Sequence, residues 1–238
     1  MDRLLELPPV SVIVIVKDGA RYLADALDSI FLSELKPCEI LVVDGGSRDR
    51  TVEIANRYRL VTVVPQGSAG IANAYNEGIA RARGELVAFL SHDDLWSPSK
   101  LDIQVEYMAR RPRLFYTVGM VEHFLDDGVD PPPSFRRELL DRPQPGLLME
   151  TLVARREVFG LVGGFDPHYS VSEDTDWFAR ARDSGIPMAL LPQVLLKKRV
   201  HDRNVTLADS ATNKFLLRAM RASIGRKRAA VTGGADGR

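Results

Sequence analysis

Leu86-Val-Ala-Phe-Leu90-Ser-His-Asp93-Asp94-Leu-Trp96 runs five apolar residues straight into two adjacent carboxylates. Bounded by Gly84 and by Ser97-Pro98, the apolar run reads as a buried strand. The acids then fall just past its carboxyl end, the edge of an open α/β sheet where ligands bind. A carboxylate in a dry place is costly unless it is paired or bound to a cation. Two readings follow. Asp93 and Asp94 hold a divalent metal that in turn holds a phosphate, or they are turn residues before a helix, where Asp is common.

Working outward, the preceding chain alternates strand and helix. Val10-Ser-Val-Ile-Val-Ile-Val16 reads as a central, buried, parallel strand. Tyr22, Leu23, Ala26, Leu27 and Ile30 recur at helical spacing. Ile40-Leu-Val-Val43 ends at Asp44-Gly-Gly-Ser47, before a helix carrying Val52, Ile54 and Ala55. Val61 to Val64 is a third strand, and Ile71 to Ala82 a helix closed by Gly84. After the opening stretch, Pro98 predicts a helix start, with Leu101, Val105 and Met108 on one face. Short connections make this a doubly wound parallel sheet, which brings Asp44, Asp93 and Asp94 to one edge.

The following chain is mixed. Phe115 to Val121 and Thr151 to Ala154 read as strands, and the proline-rich Asp126 to Pro145 as a long loop over the site. Arg155 to Phe159 reads as a helical turn and Gly163-Gly-Phe-Asp-Pro167 as a turn. A helix opens at Ser172-Glu173-Asp174-Thr-Asp176, with Trp177, Phe178 and Ala181 inward. Met188 to Leu191 and Val194 to Leu196 are two strand candidates, and His201 to Asn204 a polar turn. Asn213 to Ile224 reads as a last helix, and the tail from Ala229 has the small, polar composition of a disordered segment.

Bulk composition narrows the function. The chain has 238 residues, 45% hydrophobic and 27% charged, as in an ordinary globular protein. Lys and Arg number 32 and Asp and Glu 32, so there is no global basic field for nucleic acid. Cys38 is the single cysteine, which suits a reducing compartment and the cytoplasm. No apolar run reaches the ~20 residues of a membrane span. The short basic cluster Arg226-Lys-Arg228 leaves peripheral contact with the inner face of a membrane as an expectation.

Three acidic groups stand at element ends: Asp44, the pair Asp93 and Asp94, and Glu173 with Asp174 and Asp176. Hard cations such as Mg2+ and Mn2+ take one or two carboxylates plus substrate phosphates. Glu173 and Asp174 sit where a helix dipole lowers a carboxyl pKa, and read as capping groups or as a general base. His201 and His92 read as ordinary histidines or as ligands. The first strand–helix turn, Lys17-Asp-Gly-Ala20, lacks G-x-G-x-x-G, and no G-x-x-x-x-G-K-[ST] occurs.

In their order and spacing, these residues resemble the family 2 glycosyltransferases, which have the GT-A fold. The motifs are the Val10–Val16 run, Ile40-Leu-Val-Val-Asp-Gly-Gly-Ser-Arg-Asp-Arg-Thr51, Gly70-Ile-Ala-Asn-Ala-Tyr-Asn-Glu-Gly-Ile79, Arg83 to Trp96, Gly163 to Asp166, Glu173-Asp174 and Arg199-Val-His201. The resemblance implies an α/β, Rossmann-like, mostly parallel sheet flanked by helices. Residues 1–110 form the donor half and 111–210 a mixed acceptor-binding and catalytic half, with a C-terminal helix and tail over 211–238. It implies inverting sugar transfer from a nucleoside-diphosphate sugar, a UDP-sugar first, to a glycan or lipid-linked acceptor, in polysaccharide, glycolipid or envelope-glycan synthesis. Val16, Asp18, Asp44, Gly70, Asn73, Asn76, His92 and Asp93 become donor-binding, with Asp44 at the nucleoside. Asp93, Asp94 and His201 become ligands of Mn2+ or Mg2+, and Asp174 the catalytic base. Ser91 stands where the metal motif has its first acid, and Lys17-Asp-Gly19 where Thr-Tyr-Asn is common. Those departures favour one rival, a degenerate nucleotide-sugar-binding module. A second rival, a sugar nucleotidyltransferase, requires a glycine-rich basic signature after the first strand.

Overall fold

The computed structural model describes residues 6–126, 128–131, 135–201 and 217–226. β1 (Val10–Val16) pairs in parallel with β2 (Glu39–Asp44) on one side and β4 (Leu86–Ser91) on the other. β3 (Val61–Pro65) adds in parallel outside β2. With both edges paired and both faces covered, β1 buries nearly every side chain, so it is a continuous β-branched run.

Alternate strand residues serve two helical layers. Val10, Val12, Val14, Val42 and Leu90 pack on α1 (Leu23–Phe31), α2 (Thr51–Ala55) and α4 (Lys100–Ala109). Ile13, Leu41, Val43 and Phe89 pack on α3 (Ile71–Arg81), α5 (Val158–Val162) and α6 (Glu173–Asp183).

The sheet continues through the second half in the order β3-β2-β1-β4-β8-β6-β9-β5. β8 (Val153–Arg155) is antiparallel to both β4 and β6 (Tyr116–Leu125), and β9 (Met188–Val200) is parallel to β6. Two reversals restore the direction of β1. The carboxyl ends of β6 and β9 therefore reach the same edge as those of β1, β2 and β4. This carries His201 to the edge that holds Asp93. β5 (Leu95–Trp96) pairs with β9 and β7 (Gln144–Pro145) with β6.

Several boundaries differ from expectation. Pro98 does not open α4, which starts at Lys100; Ser97 instead donates to the carbonyl of Val194 at 2.6 Å and ties the turn to β9. Residues Met149–Thr151 form a 3-10 turn, because the Thr151 carbonyl accepts from buried Lys100 and Gln104 rather than from a ladder. The two strand candidates after Pro187 are one strand, with a register jump between Leu190 and Val194 around Pro192, which has no N–H. Part of the expected loop is ordered: Arg137–Leu140 is a 3-10 turn and Gln144 pairs with β6. Most of the polar turn after His201 and the tail from 227 lie outside the described residues, and the last helix, α7, is described over 217–226.

Gly78 lets α3 lie close on β1, since a Cβ there would collide with Ile13 Cγ2. Alanine is worth about 1 kcal/mol over glycine in a helix, and overpacking costs about 1–3 kcal/mol. Ile13 is fully buried and has nowhere to swing. Gly78→Ala is therefore expected to destabilise the fold by up to about 2 kcal/mol in urea denaturation; a stabilised variant would show that β1 yields.

Candidate active site

Strand order reverses between β1 and β4, so a crevice opens past their carboxyl ends. The loop after β1 turns through Asp18 at φ 50°. It can close on the β4 turn only because residue 19 is glycine: a Cβ there would collide with the ring of His92. The crevice deepens into a cavity of about 500 Å3. Val16, Lys17, Gly45, Gly70, Tyr75, Ser91, His92 and Asp93 line the wall from the first half of the chain, and Glu150, Glu173, Asp174 and Lys198 the one from the second.

The adjacent acids point in opposite directions. Asp93 faces the cavity, with Oδ2 at 3.1 Å from His201 Nε2. Burial works to raise the Asp93 carboxyl, but the His201 contact and the charges of His92 and Lys198 hold it well below the usual carboxylate range. Burial pushes the His92 imidazole down. His201 is buried, its ring 5.0 Å from that of Tyr22.

Asp94 does not reach the cavity. It is fully buried, accepting from Lys198 Nζ at 2.8 Å and from the Arg199 amide at 2.9 Å. This corrects its reading as a metal ligand: its oxygens are committed to β9, and it is a structural counter-ion. Burial works to lower the Lys198 ammonium, but Asp94, Glu150 and Asp93 outweigh it and hold it above its ordinary value.

Of the other donor-binding candidates, Val16, Gly70 and His92 line the cavity with Asp93, whereas Asp18, Asp44, Asn73 and Asn76 do not. The Asp44 carboxylate accepts from the amides of Gly46 and Ser47 at 3.2 Å and closes its own turn beside Gly45. Asp18 accepts from the Arg48 amide at 2.7 Å, interlocking the loops after β1 and β2. Asn73 donates to the Ala69 carbonyl at 2.7 Å. Asn76 commits both amide atoms to Phe165, at 2.8 Å each, and clamps α3 to the Gly163–Pro167 turn. That clamp corrects its reading as a donor contact.

Glu173 and Asp174 enter the cavity wall from the first turn of α6. The helix dipole favours their ionised forms, but the net shift is upward. Burial, then the charge of Asp174, raises Glu173 to about 8. Glu173 Oε2 is buried and has no hydrogen-bond partner among the described residues. Burial, then Glu150, raises Asp174 to about 6, against donation from the Thr175 amide at 2.6 Å. Both carboxyls of the pair are thus pushed up by burial and by neighbouring acid, so the pair holds on to protons more tightly than free carboxyls do. Asp176 pairs with Arg180 at 2.8 Å and braces the helix.

Two charged cavity residues of the later chain, Glu150 and Lys198, lie outside the motifs. Glu150 accepts from Ser91 Oγ at 2.6 Å and lies 3.9 Å from Lys198, so a carboxylate from the second half reaches the β4 end where the motif has serine. Its signal is a lone acid within Leu147-Leu-Met-Glu-Thr-Leu-Val153. Lys198 carries no such signal, standing beside exposed Lys197.

The glycosyl transferase family 2 model matches residues 11–171. The chain belongs to this family. An uncharacterized glycosyltransferase of Rickettsia typhi is 32% identical over 212 residues, covering 84% of this chain and 66% of the relative. One of Nostoc is 34% identical over 127 residues, covering 51% of this chain and 38% of the relative. The chain thus spans just under two thirds of the Rickettsia typhi relative's length. Among solved structures, Staphylococcus aureus TarS 1–349 in complex with UDP-GlcNAc superposes at TM-score 0.68, with 19% identity over 92% of this chain and 66% of that one. The mannosyltransferase PcManGT of Pyrobaculum calidifontis, in complex with GDP-Man and Mn2+, superposes at 0.65, with 20% identity over 98% and 76%. The family 2 chain therefore has the GT-A fold.

A carboxyl raised by folding binds its proton more tightly in the native state. Its stabilising contribution is whole below the unfolded value and lost as pH rises through the folded one. With Glu173 raised to about 8, unfolding free energy is expected to fall by a few kcal/mol between about pH 5 and pH 8. Glu173→Gln should flatten most of that slope in denaturant titrations at each pH. Parallel slopes would place the retained proton elsewhere.

Proposed function

We propose that this family 2 glycosyltransferase chain moves a sugar from a nucleoside-diphosphate donor, a UDP-sugar first, to an acceptor hydroxyl with inversion. The observation that carries the reading is one cavity at the strand switch point with Asp93 on one wall and Asp174 on the other. The donor enters from the β1–β4 side, its diphosphate toward Asp93 and the amides near Gly70. The acceptor hydroxyl, on a glycan or lipid-linked chain, comes from the side of Glu150 and α6. Asp174 takes its proton as the hydroxyl oxygen attacks the anomeric carbon opposite the leaving diphosphate. A single displacement inverts the centre, through a transition state of oxocarbenium character. Glu173 keeps its proton and donates to the sugar or acceptor rather than competing as a base.

Among the described residues no three His, Cys, Asp or Glu groups converge to hold a metal on their own. Asp93 and His201 make a two-member set, which fits a Mg2+ or Mn2+ whose other ligands are substrate phosphates. Such a cation supplies neutralisation of charge on the departing diphosphate. Lys198 adds a fixed positive charge on the same cavity wall as Glu150 and Asp174. Among the described residues no helix is long and apolar enough to cross a membrane. With exposed Cys38 unpaired, we assign the reaction to the cytoplasmic side.

With UDP-N-acetylglucosamine and GDP-mannose as donors and Mn2+ or Mg2+ present, nucleoside diphosphate release is expected to rise with pH through about 6, where Asp174 ionises. Glu150→Gln removes the negative charge that raises Asp174, so the rising limb should move to lower pH. An unmoved limb would separate Glu150 from the base. Nucleotide-sugar binding without release at any pH would make the chain a binding module.

A further inference from the structure

α7 presents its faces in the reverse of the usual order. Its inner side is small and polar: Ala219 and Ser223 are buried, Ser223 Oγ donates to Asp183 at 3.0 Å, and Arg226 Nε to the same carboxylate at 2.9 Å. Arg218 stacks its guanidinium 4.9 Å from the centre of the Tyr169 ring. Its outer side carries Leu217, Met220 and Ile224, which are 53%, 60% and 49% exposed. Spaced three and four residues apart, they form one stripe along the helix. A surface helix of a globular protein turns such a stripe inward.

Charge says what covers the stripe. Exposed Arg221 stands on the outer face, the sequence runs on through Lys227 and Arg228, and no Asp or Glu occurs between 210 and 235. An apolar stripe with Arg221 beside it, in a stretch of sequence free of acids, suits a helix lying in an anionic lipid surface. A second copy docked symmetrically on this face would bring like charges together.

We propose that α7 docks the chain on an anionic membrane surface, with Leu217, Met220 and Ile224 entering the boundary between headgroups and acyl chains and Arg221 meeting lipid phosphates. Docking needs no sugar donor, so it stands or falls apart from the transfer reaction.

The test is co-sedimentation of the full chain with vesicles of phosphatidylcholine alone or mixed with phosphatidylglycerol. The protein is expected to pellet with the mixed vesicles about tenfold more than with neutral ones, and less as salt is raised. Met220→Ser with Ile224→Ser should lower that binding about tenfold or more with an unchanged thermal midpoint, because both side chains are already exposed. Arg221→Glu, which leaves the stripe whole, should weaken binding as well, and it decides the matter if the double variant melts early. The proposal is overturned by no sedimentation with anionic vesicles or by binding that survives both substitutions. It is equally overturned by a wild-type dimer that the double variant converts to monomer.

Discussion

The ion pair between fully buried Asp94 and partly exposed Lys198 joins the β4 turn to β9 beside the cavity. An ammonium and a carboxylate taken out of water repay their desolvation only when paired and hydrogen-bonded. Here the pair lies at 2.8 Å, and the Arg199 amide takes the second oxygen. It anchors the β4 turn to β9. With Asp94 held inward, the neighbouring Asp93 faces the cavity. With β9 held beside that turn, His201 reaches Asp93 and Lys198 reaches Glu150. The site is thus assembled by strand ends from both halves of one continuous sheet.

The second constraint is an excess of acid in a small volume. Asp93, Glu150, Glu173 and Asp174 line one cavity, with only Lys17 and Lys198 as lysines among its described lining residues. Not all can ionise alike. Asp93 is held ionised by its histidine and lysine neighbours, while burial moves Glu173 and Asp174 upward by different amounts. In the proposed reaction the two neighbouring carboxyls take two roles, one keeping a proton and Asp174 acting as the base. It arises from position, since the residues are adjacent in one helical turn.

Much of the fold was legible because central parallel strands leave unbroken apolar runs, and β1 and β4 start where the pattern starts. The family motifs name Asp93, Asp174 and His201; Asp93 and Asp174 line one cavity, and His201 meets Asp93 at 3.1 Å. Asp94 misled because adjacent acids in a turn point opposite ways, and one-dimensional spacing carries no direction. At Glu173 and Asp174 desolvation and neighbouring acids outweigh the helix dipole, so both carboxyls rise where the dipole alone would lower them. Asn76 looked like a ligand contact and is a brace between α3 and a turn 89 residues away. Lys198 was invisible, since a lysine turned into a cavity from a strand differs from an exposed one only through partners supplied by distant chain.

The account turns on Asp174 as the ionised group beside the donor, acting on the acceptor and not on donor affinity. The direct measurement compares Asp174→Asn with the wild type, by calorimetric titration of nucleotide sugar and by single-turnover transfer. Donor affinity is expected to stay within about twofold, while transfer falls by about 10²–10⁴. Transfer that persists in the variant, or a loss confined to donor binding, would contradict the assignment.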